Sequence, residues 1–152
     1  MINTIVVGFD GTEGAELALE RAVGIAEVFS SNLVVAVVEQ VVAASVASVG
    51  MGAVPVSVAE PLEGSWARES QIERARALLD ARGVSYEIVS PVGNVAAEIV
   101  DVADEHGADL IIVGTHEPGL LERLFVGSVS GRVARTANCD VLVVHQKRLE
   151  TG

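Results

Sequence analysis

Residues 109–130 read DLIIVGTHEPGLLERLFVGSVS, and they are the most informative part of the chain. Residues 110–113 form a continuous apolar run, which is typical of a buried strand, and residues 128–137 have the pattern of a helix. The glycines between them let the main chain approach a ligand closely, and the first N–H groups of a helix attract anions. The stretch therefore predicts a strand, a loop able to hold phosphate, and a helix.

The same alternation of strand and helix extends over the chain on both sides of this stretch. Strand patterns at residues 5–9, 33–38, 84–89, 109–113 and 141–145 alternate with helical patterns at 12–29, 65–82, 94–106 and 128–137. Thr12 and Asn94 are suited to cap two of these helices. Because the strands are apolar throughout, we predict an α/β fold with a parallel sheet and helices on both faces.

Ligands of such sheets bind beyond the carboxyl ends of the strands, where the strand order reverses. Asp10 follows the first strand and Gly114 follows the fourth. If these two strands are neighbours, both residues border one crevice.

Composition limits the classes of function. The 152 residues carry a net charge of −11, which disfavours nucleic acid and anionic membranes as partners. The single cysteine and the start of the sequence, which lacks a basic or cleavable apolar segment, favour the cytoplasm. We expect one domain at 1–146 and a short tail at 147–152. The domain contains a long loop at about 41–64, either a mobile connector or a segment folded over the crevice.

Three groups of residues are candidates for a nucleotide site. Asp10 is placed to accept hydrogen bonds from a ribose hydroxyl or an adenine amino group, although a carboxylate that merely stabilises the turn is the alternative. Val37 is placed to press an apolar side chain on a flat base. The phosphate candidates are Gly114, Gly127, Ser128, Val129 and Ser130, for which tight packing of a glycine turn against a helix is the alternative.

Four segments together resemble the universal stress protein family. They are VVGFDGT at 6–12, PVGNVAAEI at 91–99, ADLIIVG at 108–114, and GSVS at 127–130 continuing to CDVLVV at 139–144. The resemblance implies a Rossmann-like fold of the adenine-nucleotide-hydrolase type, with five parallel strands in the order 3-2-1-4-5. It also implies a stress-response or signalling homodimer formed through the last strand, from Val141 to Val144. In one branch of the family it implies ATP, with or without Mg²⁺, bound by the pattern Gly-x2-Gly-x9-Gly-Ser/Thr.

Carried over residue by residue, Gly114 matches the first glycine of the pattern, and Gly127 with Ser128 matches the closing pair. Asp10 matches an aspartate near the nucleoside, and Val37 an adenine contact. The nucleotide-binding residues implied in this way, with their neighbours in the two loops, are Asp10, Gly11, Thr12, Val37, Gly114, Thr115, His116, Gly119, Gly127, Ser128, Val129 and Ser130.

The second glycine of the pattern is replaced by Glu117. A carboxylate about 4 Å from a phosphate in a moderately shielded site costs about 4 kcal/mol, which weakens binding roughly a thousandfold. Three arrangements avoid this cost: Glu117 points to solvent, it helps to hold a divalent metal, or Gly119 takes over. The alternative function is a dimeric interaction module of the same family without a nucleotide.

The sequence gives little support to an enzyme. Efficient phosphoryl chemistry needs a positioned base and a lysine or metal near the phosphates. The loop offers only Glu117 and His116, and the sole lysine is Lys147. We expect slow ATP hydrolysis or autophosphorylation at most, and we assign no catalytic or metal-binding residues.

Overall fold

The computed structural model describes residues 1–40, 63–115 and 128–146. These residues form seven strands and four helices in the order β1 (Thr4–Gly8), α1 (Glu13–Phe29), β2 (Asn32–Ala36), β3 (Glu39–Gln40), α2 (Glu63–Asp80), β4 (Tyr86–Val89), β5 (Val92–Gly93), α3 (Val95–Glu105), β6 (Leu110–Gly114), α4 (Val129–Thr136) and β7 (Asp140–Val144).

The five long strands form one parallel sheet in the order β4-β2-β1-β6-β7. Counted among the long strands alone, this is the predicted order 3-2-1-4-5. The first and fourth long strands are neighbours, with Val6 opposite Ile111 and Val7 opposite Ile112. The strand order therefore reverses between β1 and β6, where a ligand crevice is expected.

Successive side chains of the strands point to opposite faces, and each face is covered by helices. Ile5, Val7 and Ile112 belong to the cluster that includes Leu19 of α1 and Leu79 of α2. The other cluster holds residues of β1, β2 and β6 with residues of α3 and α4: Val6, Val34, Ile111, Val113, Ile99 and Val133. The predicted sandwich of a parallel sheet between two helical layers is confirmed.

Polar side chains cap three of the helices. Thr12 accepts a hydrogen bond from the Ala15 N–H at 3.3 Å, and Asn94 accepts one from the Ala97 N–H at 3.2 Å. Both caps were predicted. Ser128 caps α4 in the same way. Each cap satisfies one of the N–H groups that a helix leaves without a partner at its first turn.

The structure departs from the sequence predictions in three places. β3 and β5 pair as a second, parallel two-stranded sheet, too short for a periodic pattern to indicate. Helix α2 begins at Glu63, two residues before its predicted start and inside the predicted loop at 41–64. Phe29, the apolar last residue of the helix predicted over 12–29, is 46% exposed because the helix ends there, at the left-handed Ser30. The rest of that loop and the predicted tail lie outside the described residues.

Candidate functional site

The candidate site is the crevice at the carboxyl edge of the sheet, the edge at which the parallel strands end. Asp10 follows β1 on one side of the point of reversal, and Thr115 follows β6 on the other. Helix α4 runs back from this edge between β6 and β7, so Ser128 at its start belongs to the same edge. The fold thus brings the front-end residues and the start of α4 to one crevice.

Asp10 stabilises the turn between β1 and α1. Its Oδ1 accepts hydrogen bonds from the Thr12 N–H at 3.0 Å and from the Thr12 hydroxyl at 2.6 Å. Gly11 between them has a φ of +77°, a conformation that glycine adopts without steric cost. The turn role of Asp10 is therefore confirmed, and a contact with a nucleoside stays a prediction.

Gly114 packs directly against the first turn of α1. A Cβ at Gly114 would lie 2.2 Å from the Gly14 carbonyl oxygen, and a Cβ at Gly14 would lie 2.2 Å from the Thr115 carbonyl oxygen. The Thr115 N–H donates to the Val144 carbonyl at 3.1 Å. Gly114 thus has the packing role that the sequence left open as the alternative to phosphate binding. The Thr115 N–H is already hydrogen-bonded within the fold.

The start of α4 is the most favourable place for an anion among the capped helices. The first turn of α1 carries Glu13 and Glu16, and that of α3 carries Glu98. The first turn of α4 carries no acidic residue, and its Ser130 is only 9% exposed. Because a carboxylate in the first turn offsets the positive end of a helix, α4 retains the strongest attraction for phosphate.

Val37 is not presented to the crevice. Its side chain is fully buried, its N–H donates to the Val89 carbonyl at 2.9 Å, and its carbonyl accepts from the Ser90 hydroxyl at 2.9 Å. In this arrangement a base does not reach the Val37 side chain, so the predicted contact needs a different residue or a movement of the core. His116, Glu117, Gly119 and Gly127 lie outside the described residues.

A cavity of about 310 Å³ is lined by Asn32, Ser85, Glu87, His106 and their neighbours, at the edge where the strands begin. The cavity opens at the amino ends of the strands, whereas the crevice lies at their carboxyl ends. The cavity is therefore not part of the crevice. Within residues 1–40, 63–115 and 128–146 no group of three His, Cys, Asp or Glu side chains is placed to hold a metal ion.

Comparison with known proteins decides the family. The model of the universal stress protein family matches residues 1–145. The chain belongs to the universal stress protein family.

Several members of the family are similar to the chain over most of their length. Universal stress protein MJ0531 of Methanocaldococcus jannaschii is 31% identical, with 96% of this chain and 84% of the relative covered. Universal stress protein YxiE of Bacillus subtilis is 29% identical, with 95% and 99% covered. A solved universal stress protein in complex with cAMP is 29% identical and superposes with a TM-score of 0.72, covering 96% and 99%.

Two further properties of this universal stress protein come from the described residues. No helix among them combines the length and the apolar character needed to cross a membrane. Burial, and then the charge of Asp104, raises the pKa of the Cys139 thiol. A raised pKa keeps the sulfur protonated and poorly nucleophilic.

Proposed function

We propose that this universal stress protein binds an adenine nucleotide in the crevice between β1 and β6 and acts as a stress-response or signalling dimer. The observation that carries the proposal is the start of α4, a capped helix start without an acidic first turn at the point where the strand order reverses. The similar protein solved with cAMP supports an adenine nucleotide as the ligand.

The phosphate end of the nucleotide is assigned to the start of α4. The N–H groups of Val129 and Ser130 belong to the first turn, and the Ser128 side chain already satisfies the Gly131 N–H at 3.1 Å. Gly127 precedes this turn in the sequence and completes the pattern that the resemblance implies. The nucleoside end then lies toward Asp10, Gly11 and Thr12, on the other side of the reversal.

ATP, with or without Mg²⁺, is the nucleotide that the family pattern implies, with Gly114, Thr115, His116 and Gly119 around the phosphates. Two described contacts weaken this part of the proposal. The Thr115 amide is held by Val144, and Gly114 is pressed against α1. We therefore assign the phosphate contacts chiefly to α4.

A dimeric interaction module with no nucleotide is the second candidate function. The Glu117 substitution in the glycine pattern and the engaged Thr115 amide favour it. A bound nucleotide would face a carboxylate in place of a glycine, at a cost set by how close Glu117 comes to the phosphates.

Thermal unfolding with cAMP, AMP or ATP, each with and without Mg²⁺, distinguishes the two functions. A ligand at a hundred times its Kd stabilises by about 2.7 kcal/mol, which raises the Tm by roughly 5–10 °C for a chain of this size. We expect such a rise with at least one adenine nucleotide. Absence of any rise, in the parent and in Glu117→Gly, leaves the interaction module alone.

The Glu117→Gly variant also measures the effect of the substitution itself. If the carboxylate faces the phosphates, the variant binds ATP up to about a thousandfold more tightly than the parent. Glu117→Gln is the matched control, because it removes the charge and keeps the side chain. Equal ATP affinity in all three proteins would show that Glu117 points away from the site.

We also propose that two copies associate along β7, whose outer edge has no partner strand among the described residues. A cytoplasmic location is proposed on the single cysteine, which allows no disulfide within the chain. Fractionation of cells that express the protein checks the location.

A further inference from the structure

We propose that His106 and Glu87 form a binding site for a divalent transition-metal ion such as Zn²⁺. The site lies at the edge of the sheet where the parallel strands begin, in the cavity at the end of α3. It is separate from the crevice at the carboxyl edge, and it does not rest on the proposed function. A metal bound there joins the edge strand β4 to α3.

His106 presents a ring nitrogen whose state is fixed by a hydrogen bond. The residue ends α3, and its Nδ1 lies 2.8 Å from the Val102 carbonyl oxygen. A carbonyl oxygen only accepts hydrogen bonds, so Nδ1 carries the proton and Nε2 of the neutral ring keeps its lone pair. Histidines that bind a metal through one nitrogen commonly donate from the other to a carbonyl or carboxylate. The Nε2 atom of His106 is therefore prepared to act as a metal ligand.

The Glu87 carboxylate lies at the spacing that two ligands of one metal require. Its Oε2 atom is 3.5 Å from Nε2 of His106, whereas N–H···O hydrogen bonds usually measure about 2.7–3.2 Å. Zinc binds nitrogen at about 2.0–2.1 Å and carboxylate oxygen at about 2.0–2.2 Å. At a tetrahedral angle these bonds place the two ligand atoms about 3.4 Å apart. The pair is thus too far apart for a good hydrogen bond and well spaced for a shared ion.

The sheet directs Glu87 toward the same space as His106. Glu87 is paired with Val34, and Val34 belongs to the apolar cluster on the α3 side of the sheet. Paired residues of neighbouring strands point to the same face, so Glu87 points to the α3 side. The side chains of His106 and Glu87 are 25% and 60% exposed, which leaves the site open to an ion from solvent.

The cavity supplies further oxygen atoms for the remaining positions around the metal. Its volume is about 310 Å³, and three more side chains with oxygen atoms line it: Thr4, Asn32 and Ser85. Their oxygens, or water, can complete four-coordination. With two charged or imidazole ligands instead of a group of three within residues 1–40, 63–115 and 128–146, the site is open, and we expect it to bind more weakly than a closed structural site.

The local charge favours a cation. None of the described residues that line the cavity is Lys or Arg. The last turn of α3 carries no basic residue, and the carboxyl end of a helix bears a partial negative charge. Imidazole together with carboxylate suits Zn²⁺, Ni²⁺ or Co²⁺, whereas Mg²⁺ and Ca²⁺ prefer oxygen ligands alone. The chemistry therefore selects a transition metal over the common hard cations.

Calorimetric titration of the untagged protein with Zn²⁺ at neutral pH tests both ligands. Loss of even an outer-shell partner weakens metal binding about 10–100-fold, so His106→Asn and Glu87→Gln should each weaken Zn²⁺ binding at least about tenfold. Glu105→Gln is the matched control for charge, because Glu105 precedes His106 and does not line the cavity. His145→Asn is the control for loss of a histidine, since His145 follows β7 at the opposite edge. Both controls should bind Zn²⁺ within about threefold of the parent.

Nuclear magnetic resonance of the histidine rings tests the same site in the parent protein. Zn²⁺ should shift the Nε2 resonance of His106 while Nδ1 stays protonated, and Mg²⁺ at the same concentration should leave both unchanged. A His106 ring that does not respond to Zn²⁺, or equal Zn²⁺ affinity in the parent, His106→Asn and Glu87→Gln, would overturn the site. If His106→Asn does not fold, Glu87→Gln and the ring resonances decide. None of these results bears on nucleotide binding, which is measured separately at the crevice.

Discussion

A methyl group at Gly114 should separate α1 from β6. The Cβ of Gly114→Ala would lie 2.2 Å from the Gly14 carbonyl oxygen, 2.4 Å from its carbon and 3.0 Å from the Ala15 nitrogen. All three atoms belong to main chain, which cannot swing away as a long side chain does. The two segments must therefore move apart by about 0.8 Å before the closest contact reaches 3.0 Å.

The cost of this separation follows from measurements on other tightly packed interiors. Overpacking lowers the free energy of unfolding by about 1–3 kcal/mol. Replacing glycine by alanine also reduces the freedom of the unfolded chain, which raises the free energy of unfolding by about 0.4–1 kcal/mol. The upper part of the range applies here, because the clash is between the main chains of α1 and β6. At about 2–4 °C per kcal/mol, we expect the Tm to fall by roughly 4–10 °C.

Gly24→Ala is the matched control for this experiment. Gly24 lies in α1, and a Cβ there meets nothing within 4 Å. Alanine is favoured over glycine in a helix by up to about 1 kcal/mol, so this variant should melt at the parent Tm or a few degrees above it. Thermal unfolding by circular dichroism compares the two variants. Melting of Gly114→Ala within a degree of Gly24→Ala would refute the proposed contact.

The same variants distinguish a packing role of Gly114 from a role in holding phosphate. If Gly114 serves packing alone, Gly114→Ala lowers the Tm. The nucleotide affinity of this variant then falls only to the extent that the clash displaces the residues of the crevice. Gly14→Ala should then lose a similar amount, since its Cβ meets the Thr115 carbonyl oxygen at 2.2 Å. The double variant should lose less than the sum, because one separation relieves both clashes.

Three further predictions concern charge and assembly. The Tyr86 hydroxyl donates a hydrogen bond to Asp80, which raises the pKa of Tyr86, so Asp80→Asn should lower this pKa. Absorbance titration follows the single tyrosine directly. Identical titration curves for the parent and the variant would contradict the contact. The Asn3 and Thr4 N–H groups donate to the Asp109 carboxylate at 2.7 and 3.1 Å and hold the pKa of Asp109 below its ordinary value. The ionised carboxylate therefore stabilises the fold at neutral pH, and this stabilisation is lost as the pH falls through the lowered pKa. Asp109→Asn should therefore be less stable than the parent at pH 7, with a gap in urea denaturation that narrows in acid; a gap independent of pH would argue against this. Val143→Pro removes an N–H on the outer edge of β7 and should yield monomers by sedimentation, whereas Val143→Ala should remain dimeric.

The order of helices and strands could be predicted from the sequence because it depends on neighbours in the chain. Continuous apolar runs indicate the strands, apolar residues three or four positions apart indicate the helices, and Thr12 and Asn94 mark helix starts by local hydrogen bonds. Fully apolar strands between helices then favour a parallel sheet, whatever the details of packing. The crevice at the ends of β1 and β6 follows from that sheet only once these two strands are neighbours, which the structure shows.

The roles of single residues at the crevice were decided by the tertiary structure. Gly114 fits a phosphate pattern in the sequence, but its neighbour in space is Gly14, a hundred positions away. Val37 and Val38 are chemically identical, yet the Val37 side chain is fully buried in the cluster that holds α1 and α2, whereas the partly buried Val38 packs against the cluster on the opposite face of the sheet. Local patterns are set by contacts within a few residues, whereas the partners of a main-chain group are set by strand order and close packing, which join distant segments.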